Sequence, residues 1–434
     1  MSDLRGNDAI VVGGGLAGLT AAALLARAGR RVVLLERSAT VGGRAISHVE
    51  KGFHLNLGPH AWYVGGPGTR VLQELGITLP GRPPRTSGGF ALYQGRMHTL
   101  PVGFVSLLTT DLLGVHGKLE AARLLAALAR MDTGRFDGVS LSDWLGEHVS
   151  DTRARAVLEM FVRVASYTHA PDLLSAGAGL GAMQSVLRHN VLYVHGGWQS
   201  IVAALRAKAG ALGVRLVTGA PVTEVLHDSG AEGVRLEDGT AVLAPQVIVA
   251  GTPAMVRHLL PHAPEPAAVR WSPTPSRAAC LDLALAKLPK ASALVAFGID
   301  QPLYYSVHSA VADLAPHGGA VVHVAKYLNP SQAADAKADE RELEAFMDRL
   351  QPGWRAEVVV RRYFPSMTVT NGIPTAAGGG LAGRAPVRIS GIEGVYLAGD
   401  WVGAEGTLAN AAVASAAQAA RLITGQAQAV TTAA

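Results

Sequence analysis

A chain of 434 residues that is 49% hydrophobic and 16% charged holds enough apolar material for two domain cores and too much for general disorder. Its formal charge of +5 is scattered in short pairs such as Arg30-Arg31 and Arg361-Arg362, so the clustered basic face that tracks phosphates is missing and nucleic acid is excluded as a partner. One cysteine, Cys280, allows no internal disulfide, and its run Ala278-Ala279-Cys280-Leu281 reads as a buried strand, which fits a reducing, cytoplasmic setting.

Met1 to Asp8 carries charges where a secretory signal needs its apolar region. Ala9-Ile10-Val11-Val12 then reads as a buried parallel strand and runs directly into Gly13-Gly14-Gly15-Leu16-Ala17-Gly18, a GxGxxG motif. With 51 glycines in the chain, roughly 0.7 such matches arise by chance, so context decides. A helix follows from Leu16 to Ala28, its Ala17, Gly18, Ala21 and Ala22 small enough to lie close on a sheet, and Gly29 ends it. The next buried strand, Val32 to Leu35, ends in Glu36. An acid there can accept hydrogen bonds from both ribose hydroxyls of an adenosine while the helix N-terminus faces a pyrophosphate. Taken alone, Glu36 also reads as an ordinary strand-end charge. Val41-Gly42-Gly43-Arg44 adds a paired glycine, which lets backbone pass close to phosphate or flavin, and a guanidinium fork beside it.

From the glycine motif through Arg44 the sequence resembles the extended fingerprint of flavoproteins related to phytoene desaturase, protoporphyrinogen oxidase and monoamine oxidase. The resemblance implies an α/β fold: a Rossmann-type, glutathione reductase-like FAD-binding domain that is discontinuous over 1–81, 191–265 and 375–434, with a second, α+β substrate domain over 82–190 and 266–374. It implies FAD as cofactor, held by Gly13, Gly15, Leu16, Ala17, Gly18, Glu36, Arg37, Gly43 and Arg44. It also brings Gly58, Pro59 and His60 beside the flavin, where His60 either shuttles a proton to substrate or serves as a hydrogen-bonded structural histidine.

Pro101 to Val115 is very apolar, too short to span a bilayer, and carries Asp111. It reads as a helix covering the substrate cavity, or alternatively as a segment inserted shallowly into lipid, which leaves peripheral membrane contact open. After Gly196-Gly197-Trp198 a helix from Ile201 to Ala211 ends near Gly213, and a strand runs from Val214 to Val217. Strands at Val222–Leu226 and Gly233–Leu236 follow, with Asp238-Gly239 as the hairpin turn before Ala241–Leu243. Val247 to Ala250 is another buried strand, ending at Gly251 where a chain meets the ligand crevice of such sheets. Within the resemblance Val222 matches the residue whose backbone meets adenine; by itself the segment is a generic hairpin.

Strands are expected at Ala278–Ala286, Leu294–Phe297 and Val321–Tyr327, with a helix near 335–350. Leu281 through Asn329 loosely resembles the phytoene desaturase branch, which implies a long isoprenoid-like or other lipophilic substrate. Lys326, on an apolar strand, resembles the lysine that positions water at flavin N5 in amine oxidases, or else snorkels to solvent. Finally Gly394 to Asp400 is a strand ending in Gly399-Asp400, whose carboxylate can bond a ribityl hydroxyl. Gly406, Thr407 and Leu408 open an Ala-rich helix to about Ile423 that aims its first amides at the flavin pyrimidine ring, where reduced flavin is negative. No cysteine lies near Asp400, so FAD is expected to be noncovalent. The 15 histidines show no metal spacing.

These readings point to hydride transfer from a C–H bond of an apolar substrate to flavin, of desaturase or redox-isomerase type, with oxygen, a quinone or another acceptor taking the electrons. Porphyrinogen or amine oxidation is the second expectation, and a flavin-bearing binding protein with a structural cofactor is the third.

Overall fold

The structure, a computed structural model, describes residues 5–86, 88–261 and 273–425; the expected boundary at 265/266 and both chain ends lie outside them. In chain order the elements that build the site are β1 (Ala9–Val12), α1 (Leu16–Arg27), β2 (Val32–Glu36), β3 (Arg215–Thr218), β4 (Val247–Ala250), β5 (Ser276–Leu285), β6 (Ala320–Leu328), α2 (Ala336–Leu350), β7 (Val358–Thr370), β8 (Val395–Ala398) and α3 (Leu408–Thr424).

β1, β2, β4 and β8 are near-continuous runs of Val, Ile, Leu and Ala because both faces of their sheet are covered. The five strands lie in the order β3-β2-β1-β4-β8, every pair parallel, so their C-terminal ends share one edge. α1 and α3 pack against each other over this sheet, and α1 also meets the helix Gln199–Ala211. The small residues of α1 set its distance: a Cβ at Gly18 would lie 1.8 Å from the Gly13 carbonyl oxygen. One continuous core joins these elements, from Ile10 and Leu34 to Val249, Leu397 and Ala416. The expected meander forms as an antiparallel trio, Val222–His227, Ala231–Leu236 and Ala241–Leu243, turning at Gly239 with φ of 83°.

A second sheet of seven strands runs β7-β5-β6-(Leu303–Val307)-(Val295–Gly298)-(Phe90–Tyr93)-(Arg96–Thr99), antiparallel except where Val295–Gly298 meets Phe90–Tyr93. On β5 and β6 the side chains alternate as a strand requires. Leu281, Leu283, Val322 and Val324 face α2 through Leu343, Phe346 and Met347. Ala278, Cys280, Ala325 and Tyr327 face the opposite way, into a core shared with the helices Thr152–Ser166 and Ala176–His189.

Pro101–Val115 departs from the expectation of one helix covering a cavity. Only Phe104–Thr109 is helical there. The Thr110 hydroxyl donates to the Thr99 carbonyl at 2.7 Å and accepts from the Leu112 amide at 3.3 Å, which pulls the chain out of the helix. Gly114 then caps a new helix, Val115–Leu128. Leu107, Leu112 and Leu113 pack into the core of the second half, whereas Phe104 is 77% and Val115 78% exposed.

The crevice side of the second sheet carries one buried ionic knot. Asp282, wholly buried on β5, lies directly across from His323 on β6 and Arg362 on β7. Its Oδ1 accepts from His323 Nδ1 at 2.6 Å, and its Oδ2 accepts from Arg362 at 3.1 Å and from the Gly58 amide at 2.9 Å. Burial pushes the carboxyl up, but His323, the Gly58 amide and Arg362 outweigh it and hold the group ionised. Removing one partner of such a cluster strands the others, so Asp282→Leu is expected to cost about 3–5 kcal/mol and Asp282→Asn, which keeps an acceptor, distinctly less. Urea unfolding of the three proteins at neutral pH checks this.

Candidate functional site

Three chain segments meet at the shared edge of the parallel sheet. The Gly13 amide donates to Leu35 O at 2.8 Å and the Gly42 amide to Gly14 O at 2.8 Å, which clips the first glycine turn to the second. Glu36 ends β2 and completes the clip, its Oε2 accepting from the Gly14 amide at 2.6 Å and its Oε1 from the Ser38 amide at 2.8 Å. Arg37 beside it is exposed. The Ala220 amide donates to Glu36 O at 2.9 Å, which brings the strand beginning at Val222 alongside. Gly13 has φ of 106° and Gly43 of 55°, and a Cβ on Gly13 would lie 2.4 Å from the Ala250 carbonyl oxygen. Only glycine serves there.

The third segment arrives through Asp400. Arg44 donates to Asp400 at 2.8 Å and to the Val369 carbonyl at 2.7 Å, and Asn371 donates to the same carboxylate from its side chain at 2.8 Å and its amide at 3.2 Å. Burial alone would raise the Asp400 carboxyl, yet Arg44 and Asn371 hold it below the usual carboxylate range. Trp401 Nε1 donates to Gly251 O at 2.9 Å, joining the ends of β4 and β8. Gly399 is fixed by Ser415, whose hydroxyl accepts from the Gly399 amide at 3.0 Å, and Gly406 turns the chain with φ of 72° into α3. Leu408 begins that helix with φ of 53°, a strained value for a branched side chain.

Gly58, Pro59 and His60 lie beside the Arg44 turn. Gly58 has φ of 75°, and a Cβ there would meet Cys280 Sγ at 3.1 Å and Met367 Sδ at 3.4 Å. Burial lifts the Cys280 thiol well above its usual range, so it stays protonated. His60 Nδ1 lies 3.1 Å from Gly58 O and Nε2 3.2 Å from Arg44 O, with the ring edge-on to Trp198 at 4.7 Å. Burial brings its pKa down to about 4. A neutral ring has a single N–H, so only one of these two carbonyls accepts a hydrogen bond from it; that bond and the edge contact with Trp198 hold the ring in place.

Lys326 is a correction. It sits on the α2 face of β6, where Nζ pairs with Asp339 at 2.7 Å and Glu342 at 2.6 Å, while its neighbours Ala325 and Tyr327 face the other way. Strand alternation therefore turns it to the side opposite Asp282 and His323, where Asp339 and Glu342 hold it.

Two residues without any sequence motif enter the site. Asn371 shares Asp400 with Arg44, and Arg384 lines a small, open pocket together with Ser166, Thr168, Thr370, Thr407 and Leu408.

The arrangement suits an anionic dinucleotide. Neither α1 nor α3 has a side-chain cap or an acid in its first turn, so both ends present free amides and a positive dipole end. A Cβ on Gly15 would meet no atom within 4 Å, which marks open space above the first turn of α1 where a pyrophosphate can approach.

Residues 16–424 match the family model described as flavin containing amine oxidoreductase. The chain is 28% identical over 313 residues to hydroxyneurosporene desaturase of Rubrivivax gelatinosus, covering 62% of this chain and 58% of that protein. It is 28% identical over 225 residues to putrescine oxidase of Kocuria rosea, covering 47% and 46%. A stretch of 64 residues is 52% identical to carotenoid 3,4-desaturase of Haloarcula japonica, 15% of this chain and 13% of that one. The chain thus spans less than two thirds of each of these relatives. Among solved structures, an oxidoreductase from Methanosarcina mazei has the same fold with a TM-score of 0.75 at 22% identity, covering 94% of this chain and 99% of that one. Wild-type putrescine oxidase bound to putrescine follows at 0.71 and 19%, covering 96% and 99%.

Buried histidines make the fold acid-sensitive. Burial lowers His60 and His169 to about 4 and holds His308 well below the usual imidazole range. Such rings stay neutral in the folded chain while the unfolded chain takes up protons below about pH 6.5. Stability is therefore full above that pH and falls as pH drops toward 4, by up to about 3 kcal/mol each for His60 and His169. The denaturant midpoint is expected to be lower at pH 5 than at pH 7.5, and the gap to narrow in His60→Gln; an unchanged gap in that variant removes His60 from the account.

Proposed function

The chain belongs to the flavin containing amine oxidoreductase family, and on that premise we propose that it is an FAD-dependent oxidoreductase that takes hydride from a C–H bond of an apolar, isoprenoid-like substrate. FAD supplies the electron sink for that chemistry. The chain's own residues bind and orient it: the first-turn amides of α1 and the Gly15 opening for the pyrophosphate, Glu36 for the ribose, backbone at Val222 for the adenine, Asp400 for a ribityl hydroxyl, and the amides opening α3 for the pyrimidine ring. No cysteine adjoins Asp400, and Cys280 is held as a buried thiol, so the cofactor is taken to be noncovalent.

The observation that carries the substrate reading is the lining of the pocket at the start of α3. Its walls are hydroxyls and aliphatic groups from Ser166, Thr168, Leu174, Ala178, Thr370 and Pro374; its one charged group is the Arg384 guanidinium, and it has no carboxylate. A protonated amine meets repulsion there and nothing to pair with. A neutral substrate meets no such repulsion, which favours the desaturase type over the amine oxidase type. The same guanidinium keeps porphyrinogen oxidation as a second reading, since propionate groups would pair with it.

A lipophilic substrate resides in membranes, and five of the large exposed hydrophobic side chains cluster in one stretch: Phe104, Val105, Leu108, Val115 and Leu119, with Lys118 among them. No helix among the described residues is long and apolar enough to cross a bilayer. We read this face as one that inserts shallowly into lipid.

Purified protein is expected to be yellow and to release FAD on denaturation. Glu36→Ala, which loses charge-assisted bonds of about 1.5–3 kcal/mol, should bind FAD roughly 10- to 100-fold more weakly. Anaerobic mixing then separates the activities: bleaching by a polyene precursor supports the desaturase reading, bleaching by a porphyrinogen or an amine alone replaces it, and no bleaching by any donor points to a structural cofactor. For the surface, Phe104→Glu with Val105→Glu should abolish sedimentation with anionic vesicles and leave FAD content unchanged; vesicle binding at the wild-type level sinks the membrane reading.

A further inference from the structure

Arg384 is an arginine without an anion. It leaves the one-turn segment Gly380–Gly383 and enters the pocket at the start of α3, where Nη1 donates to the Gly406 carbonyl at 2.8 Å. Its Nε is out of solvent with no hydrogen-bond partner. No carboxylate among the described residues lies within ion-pairing distance of it, and the nearby Asp400 is already held by Arg44 and Asn371. Burial pulls its pKa down to about 10, with Asp400 opposing, so it is charged at neutral pH. A partly buried guanidinium left this way is unfavourable unless an acceptor joins it.

The same pocket receives the N-terminus of α3. Thr407, its N-cap, makes no side-chain cap, no acid lies in the first turn, and Asn410 is spent elsewhere, accepting from the Gly68 amide and donating to Tyr63 O. Free amides and a guanidinium with no carboxylate partner thus meet at one volume. Both are placed for a delocalised negative charge on a planar edge.

We propose that Arg384 is the fixed cation that stabilises the negative charge developed at N1 and O2 of the reduced flavin, together with the first amides of α3. The inference rests on the FAD reading above and assigns the electrostatic tuning of that cofactor to a residue outside its binding motifs. Arg44 cannot do this work, because its charge is cancelled by Asp400 at 2.8 Å. A cation at that edge favours the reduced over the oxidised form and so raises the reduction potential.

The test is the two-electron midpoint potential of the FAD-loaded protein, measured by dye equilibration for wild type, Arg384→Gln and Arg384→Lys. Neutral glutamine is expected to shift the oxidised-to-reduced balance about tenfold toward oxidised, which is a fall of about 30 mV for a two-electron couple. Lysine, which keeps the charge, should recover most of it. Arg384→Met stands in if the glutamine variant does not load with FAD. An unchanged potential in the neutral variants overturns the proposal, as does a lysine variant that falls as far as they do. Benzoate, followed through its perturbation of the flavin spectrum, separates the other source of an anion: neutral variants that lose benzoate binding at unchanged potential show that the guanidinium serves a substrate carboxylate, which also overturns it. A wild-type protein that carries no FAD sinks both readings, whereas a yellow wild type with insensitive variants sinks this one alone.

Discussion

Two uncapped helix N-termini face one crevice, and almost everything else in the site follows from keeping them there. A helix end without a cap leaves several amides unpaired, which is tolerable only in water or against an anion. α1 and α3 reach the same edge because β1, β4 and β8 are parallel neighbours, so the helices that follow β1 and β8 both begin at the C-terminal side of the sheet. The glycine at 18 lets α1 lie against the turn it springs from. Ser415, within α3, bonds both the amide and the carbonyl of Gly399, so the helix is locked to the very strand end that carries Asp400. A helix displaced by one turn would lose that lock and carry its amides away from the crevice.

The second sheet contributes rigidity of a different kind. Asp282, His323 and Arg362 stand abreast on three adjacent strands, and the carboxylate reaches past them to the Gly58 amide. The Gly58 turn is thereby fixed by a buried ionic knot instead of by loop packing. Polar interruptions in strands that are otherwise apolar, such as the aspartate in Ala279-Cys280-Leu281-Asp282-Leu283 and the histidine in Val321-Val322-His323-Val324, are tolerated because each finds its partner across the ladder. His308 and His323 meet edge-on at 4.4 Å with Tyr193 stacked on His308 at 3.7 Å, extending the polar layer.

The dinucleotide half was legible because its signals are local. A buried strand, a glycine turn, a small-residue helix and an acid at the next strand end occur within thirty residues, and each demands the next. The elements of the substrate half were also legible, but their orientation was not. β6 is apolar on both faces because both faces are covered, so the period of two carries no label for which side meets the crevice. Lys326 was unassignable for that reason, and the acids that claim it, Asp339 and Glu342, lie on a helix whose packing the sequence does not announce. Pro101–Val115 differs for another reason: Thr110 and Gly114 break the chain, so Leu107, Leu112 and Leu113 are buried while Phe104, Val105, Leu108 and Val115 are left in solvent. Arg384 and Asn371 had no signal at all, since both sit in irregular segments where no periodicity applies.

The charges at the α3 end of the crevice set what that end favours. Asp282 is matched by Arg362, and Asp400 by Arg44. His60 and His308 are held neutral by burial. Arg384 has no carboxylate there, and the dipole of α3 adds to its sign. A positive end of that kind lowers the free energy of any species that gains negative charge near the start of α3. Ground-state binding of a neutral hydrocarbon gains nothing from such a field. A group that becomes anionic only as the reaction proceeds gains from it in full, which is the condition under which electrostatics accelerates chemistry and does more than tighten binding.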